Sequence, residues 1–109
     1  MKIAVYPGTF DRITNGHVDI ATRGAEIFDK LIVAVAKDNS KKNLFGLEKR
    51  LDLARRSTAH ISNIEVKTFE GLLMDYCQKE GISVVIRGTR AVSDFEQEFQ
   101  MALLNRHLN

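Results

Sequence analysis

Short apolar runs rich in β-branched residues recur along this chain, each followed by a segment whose apolar residues fall at helical spacing. The runs are Lys2–Tyr6, Leu31–Ala36, Ile64–Thr68 and Val84–Arg87. The helical segments are Gly16–Phe28, Leu47–Ala59, Leu72–Glu80 and Asp94–Leu108. Alternation of this kind limits the fold severely, because parallel strands need crossover segments and the crossover helices must cover the sheet. The expectation is an α/β protein, a mainly parallel sheet with helices on both faces. The second helix places Leu47, Leu51 and Ala54 on one face, with Glu48, Asp52 and Arg55 outward. The last opens on Ser93-Asp94-Phe95-Glu96, a capping box, and turns Phe95, Phe99, Ala102 and Leu103 inward. Residues 1–109 read as a single domain, with no repeat, linker or low-complexity tract.

Composition narrows the function classes. A hydrophobic fraction of 44% argues against disorder. No apolar run approaches the ~20 residues of a membrane helix. Met1 leads straight into the first strand, so no secretory leader is expected, and the lone Cys77 fits a reducing, cytoplasmic setting. Cys77 stands at helical spacing from Leu73 and is expected in the core. A net charge of +2 does not call for nucleic acid. The basic residues cluster instead, as Lys37, Lys41 and Lys42, then Arg50, Arg55 and Arg56, then Arg87 and Arg90, which suits a small polyphosphate. Arg55 and Arg56 read as a solvated helix face.

The chemistry concentrates after the first strand. Residues 8–17 read Gly-Thr-Phe-Asp-Arg-Ile-Thr-Asn-Gly-His. Gly8 and Gly16 let backbone approach a ligand closely, and a helix start offers free N–H groups with the positive end of the dipole. His17 adds a proton-bearing nitrogen for an anion. A lone Gly…Gly-His fits an ordinary strand–helix turn with a solvated histidine; the ten-residue string as a whole favours a phosphate site. In open α/β sheets ligands bind outside the carboxyl ends of the strands. Thr9 and His17 follow the first strand, Lys41 the second, Leu72 and Leu73 the third, and Arg87 closes the fourth, so the polar residues converge on one sheet edge.

The first motif resembles the signature of the nucleotidylyltransferase superfamily. With Ser40-Lys41-Lys42, the string Arg87-Gly88-Thr89-Arg90-Ala91-Val92-Ser93-Asp94-Phe95-Glu96-Gln97-Glu98, and Asn105-Arg106, the whole length resembles the bacterial phosphopantetheine adenylyltransferase family. The resemblance implies a Rossmann-like, doubly wound parallel sheet. It implies adenylyl transfer from ATP to 4′-phosphopantetheine, giving dephospho-CoA and pyrophosphate in coenzyme A biosynthesis. By that resemblance His17 binds the α-phosphate, while Thr9 holds the incoming phosphate with help from the Thr9 and Phe10 N–H groups. Lys41 and Arg87 orient the phosphopantetheine phosphate, and Leu73 packs on the pantetheine arm. Gly88, Thr89 and Arg90 line the nucleotide site, with Glu98 near the adenosine. Mg²⁺ is expected on phosphate oxygens, with no metal-ligating residue of the protein. His60 and His107 are expected to be caps or surface groups, and Asp11 to position its loop through an Asx-type turn.

The sequence departs from the family pattern in places. Arg12 replaces a usual proline, Gly24 interrupts a helix, and Gly46 and Lys49 replace a capping box. The family continues beyond the residues corresponding to Asn109 with a fifth strand, a serine-rich turn that grips the β- and γ-phosphates, and further helix. The chain therefore reads as an altered member lacking that C-terminal strand and its helices. The alternative expectation is an impaired protein that binds nucleotide or phosphate, or only self-associates. A homo-oligomer is expected, hexameric in the family, with altered or exchanged packing of residues 94–109. No nucleic acid or membrane partner is expected.

Overall fold

The first strand extends further than its hydrophobic pattern implies. In a computed structural model, which describes residues 2–37 and 44–87, β1 covers Ile3–Gly8 and runs through Pro7. Pro7 is tolerated for a simple reason. The Ile3 and Val5 carbonyls face β4 (Val84–Val85), so Pro7, two residues on, faces the same side beyond the end of that strand. Its missing N–H falls where the ladder with β4 ends, so the pairing stops at Val85 and no bond inside the strand is broken. The other elements are α1 (Asn15–Ile27), β2 (Lys30–Ala36), α2 (Leu47–Thr58), β3 (Ile64–Phe69) and α3 (Leu73–Glu80). The strands are parallel, in the order β3-β2-β1-β4, with Ala4 opposite both Leu31 and Val84. β4 is shorter than its apolar run, and Arg87 lies beyond it, although Ile86 N–H still reaches the Val5 carbonyl at 2.8 Å. The expected helix at Asp94–Leu108 lies outside the described residues.

Strand alternation divides the core into two layers. Ala4, Tyr6, Leu31, Val33, Val35, Val84 and Ile86 pack with Ile20, Ala21 and Ala25 of α1 and Ala54 of α2. Val5, Ile32, Ala34 and Val85 pack on the other face with Cys77 of α3. Helices therefore cover both faces, as expected of a doubly wound sheet. Cys77 is a buried thiol whose pKa is pushed up by desolvation. Gly24 proves to be a packing device. A methyl group there would stand 2.9 Å from Ile86 Cδ1, so with any side chain at that position the end of Ile86 must shift for α1 to lie this close to the sheet. α3 ends at Gly81, whose left-handed backbone (φ +69°) returns its N–H to the Cys77 and Gln78 carbonyls.

Chain direction reverses its march across the sheet between β1 and β4: β2 and β3 lie to one side of β1, and β4 to the other. The crevice at such a reversal is where doubly wound folds bind ligands. The loop after β1 and Arg87, just past β4, both lie at that end of the sheet.

Candidate active site

His17 owes its orientation to the start of α1. Thr14 is the N-cap, and its hydroxyl accepts from His17 N–H at 3.3 Å. In return Thr14 N–H donates to His17 Nδ1 at 3.0 Å, completing a capping box in which histidine replaces the usual Glu or Gln. An accepting Nδ1 carries no proton, so the neutral ring holds its proton on Nε2, across the ring from the cap. Partial burial lowers the His17 pKa, which favours that neutral form. The Phe10 ring meets the imidazole edge-on at 5.2 Å and Tyr6 at 5.3 Å, fixing the ring from a second side. Burial pushes the Tyr6 phenol up to about 12, leaving it a neutral wall of the cluster. The result is one aimed N–H donor beside a helix N-terminus. The Asn15 and Gly16 N–H groups, as the first two of the helix, have no intrahelical acceptor.

Thr9 and Phe10 form the turn between β1 and this helix. Thr9 is exposed, whereas the Phe10 side chain is buried on a left-handed backbone (φ +49°). Arg12, at φ +120°, is the second non-glycine residue in that region, and it stands where a proline was expected from the resemblance. A proline could not adopt that angle, so the loop follows a path that the usual residue would forbid. Asp11 positions its loop as expected, but not through an Asx turn. Its two carboxylate oxygens accept from Leu44 N–H at 2.6 Å and Phe45 N–H at 2.9 Å, tying the β1 loop to the far end of the segment that carries Lys41.

Arg50 departs furthest from its sequence surroundings. It is fully buried, unlike the exposed Arg55 and Arg56, and its guanidinium donates to the Thr9, Ala36 and Phe45 carbonyls at 2.9, 2.9 and 3.2 Å. A signal for it existed: Arg50 sits on the Leu47–Leu51–Ala54 stripe, so a cation interrupts an apolar face. Thr14, three residues before His17, was likewise available as a cap but was hidden by the rarity of histidine at that place in the box.

Of the expected site residues, the structure brings Thr9, Phe10 and His17 together after β1. Arg87 is exposed just past β4, the strand beside β1. Leu73 opens α3 two strands away and packs in part against the core layer that holds Cys77, while its neighbour Leu72 is exposed. Lys41, Gly88, Thr89, Arg90 and Glu98 lie outside the described residues, as does His107, whereas His60 is exposed at the end of α2. Among the described residues no group of three or more His, Cys, Asp or Glu side chains converges.

A parallel sheet whose strand order reverses beside a capped helix start defines a doubly wound α/β protein, and likeness to known proteins narrows the class. The cytidylyltransferase-like family model matches residues 5–109. The solved structure of a lipopolysaccharide core biosynthesis protein from Thermoplasma volcanium superposes with a TM-score of 0.65 over 96% of this chain and 88% of its own, at 22% identity, which speaks for the fold. Phosphopantetheine adenylyltransferases from Carboxydothermus hydrogenoformans, Desulfosudis oleivorans and Moorella thermoacetica are 57%, 54% and 56% identical over 99–100% of the chain. The chain belongs to the phosphopantetheine adenylyltransferase family, nucleotidyltransferases of coenzyme A biosynthesis. It spans 67%, 65% and 68% of the length of those three relatives.

Proposed function

We propose that this chain transfers the adenylyl group of ATP to 4′-phosphopantetheine. A phosphate oxygen of the acceptor attacks the α-phosphorus, a new P–O bond forms, and the bond to the β-phosphate oxygen breaks to release pyrophosphate. No covalent intermediate on the protein is needed, so positioning and charge stabilisation carry the rate. The observation behind this reading is the His17 capping box. It points a neutral Nε2–H donor away from the helix while the adjoining backbone N–H groups stay free for phosphate. His17 then hydrogen-bonds a non-bridging α-phosphate oxygen and offsets the charge that grows there.

The remaining assignments rest on family likeness and on place in the fold. Thr9, with its own N–H and that of Phe10, holds phosphate at the β1 turn. Arg87, beside that turn, takes the acceptor phosphate through its two-pronged guanidinium, with Lys41 from the segment that follows β2 in sequence. Leu73 contacts the pantetheine arm, and Gly88, Thr89, Arg90 and Glu98 hold the nucleotide. The described residues offer no free carboxylate set at this place, because both Asp11 oxygens are engaged. By family likeness Mg²⁺ would enter with ATP, held by phosphate oxygens, where it would screen their charge. A cytoplasmic homo-oligomer completes the proposal.

A coupled pyrophosphate assay with both substrates, beside calorimetric ATP titration, tests it. Pyrophosphate release that depends on 4′-phosphopantetheine is the expected result. ATP binding without release identifies a binding-only protein and overturns catalysis by this chain.

A further inference from the structure

Arg50 carries a consequence beyond fold stability. Its buried guanidinium holds the Thr9 carbonyl inward at 2.9 Å. The peptide joining Thr9 to Phe10 is trans and planar, so its N–H points opposite to its carbonyl. The Phe10 N–H is thereby turned away from the core, and it donates to none of the described residues. The same cation also holds the last carbonyl of β2, from Ala36, and that of Phe45, just before α2. One side chain thus joins the phosphate turn to Ala36 and Phe45, and Asp11 joins the same turn to Leu44 and Phe45.

We propose that Arg50 is a positioning residue for transfer: it sets the Thr9–Phe10 peptide so that Phe10 N–H becomes a phosphate donor, and it joins that turn to the end of β2 at Ala36 and to Phe45 before α2. The inference rests on the phosphate site proposed above. It explains why a cation occupies the apolar stripe of α2, at a place where hydrophobic packing would otherwise serve. It also explains how Phe10 keeps a backbone angle rare for a non-glycine residue: the ring is buried on one side of the turn and the preceding carbonyl is held on the other. Lysine cannot replace this arrangement, since a single ammonium lacks the planar fork that reaches three separate carbonyls.

The test is an amide NMR titration of the chain with inorganic pyrophosphate, run on the wild type and on Arg50→Lys, with Arg50→Gln as a second variant. In the wild type the Phe10, Gly16 and His17 amide signals should all move. In the variants Gly16 and His17 should still respond, the Phe10 response should be lost, and affinity should fall about tenfold or more, as for one hydrogen bond to a charged group. A purely structural role predicts a lower melting temperature with the Phe10 response retained, which overturns the proposal. So does a silent Phe10 amide beside moving Gly16 and His17 signals in the wild type, a measurement that needs no variant. If none of the three amides responds in the wild type, the phosphate site itself fails, and this inference with it.

Discussion

His17 serves two purposes at once, as half of a helix cap and as the aimed donor of the site, and substitution can separate them. His17→Gln keeps an acceptor at the third position of the capping box, whereas His17→Ala removes it. Turnover should fall by ~10²–10³ in both, while only the alanine variant should lose about 0.5–1 kcal/mol of stability. Pyrophosphate assays with thermal melts decide this, and near-normal turnover in either variant removes His17 from the chemistry. The pH dependence follows from the same geometry. Burial lowers the pKa of His17 in the folded chain relative to the unfolded one. The stability it contributes is therefore present above the unfolded value and lost as pH falls through the folded value, where Nδ1 protonates and its bond from Thr14 N–H breaks. An NMR titration should place the His17 midpoint below its ordinary value, and a raised midpoint contradicts the cap. Arg87 is exposed at the end of β4, beside the β1 turn. Arg87→Ala should weaken 4′-phosphopantetheine more than ATP in separate titrations; a loss confined to ATP would reassign it to the nucleotide.

At the scale of elements, α1 and α2 contrast sharply. α1 begins with a complete capping box, whereas α2 begins at Gly46 with no side-chain cap. Gly46 has an ordinary extended backbone (φ −69°, ψ 168°), and a Cβ there would meet nothing within 4 Å. Gly46→Ser should therefore raise stability by about 0.5 kcal/mol, through a new cap and a less flexible unfolded chain. An unchanged or lowered urea midpoint would show that the serine cannot reach the free N–H groups of the first turn. β3 is an edge of the described sheet and carries its own protection. Glu65 pairs with Lys30 and Lys67, and Lys67 with Glu80, so this edge strand carries charged side chains on its α3 face. The Lys30 and Lys67 ammonium groups hold the Glu65 carboxyl below its usual range, but this pair is solvent-screened and contributes little to stability.

For the whole molecule, the homo-oligomer proposed above is argued from exposed apolar surface. Leu44 and Leu72 are 77% and 72% exposed, and β4, at the edge opposite β3, presents no comparable charged row among the described residues. Exposed apolar side chains of this kind are what a second copy covers. Light scattering at micromolar concentration should give a multiple of 12.3 kDa, and a monodisperse 12.3 kDa species would end the proposal.

The strand and helix sequence was legible because hydrophobic period reports burial, and each of the seven described elements overlaps a segment read from pattern alone. The gathering of Thr9, Phe10 and His17 was legible too, since they lie within nine residues of one turn. Tertiary structure decided what depends on distant partners. The depth at which Arg50 sits, the pairing of Asp11 with Leu44 and Phe45, and the closeness of Gly24 to Ile86 each join residues more than thirty positions apart. Local pattern says that a residue faces inward; only the packed chain supplies the carbonyl, amide or methyl group it meets there, and so whether a buried cation is tolerated and what it holds in place.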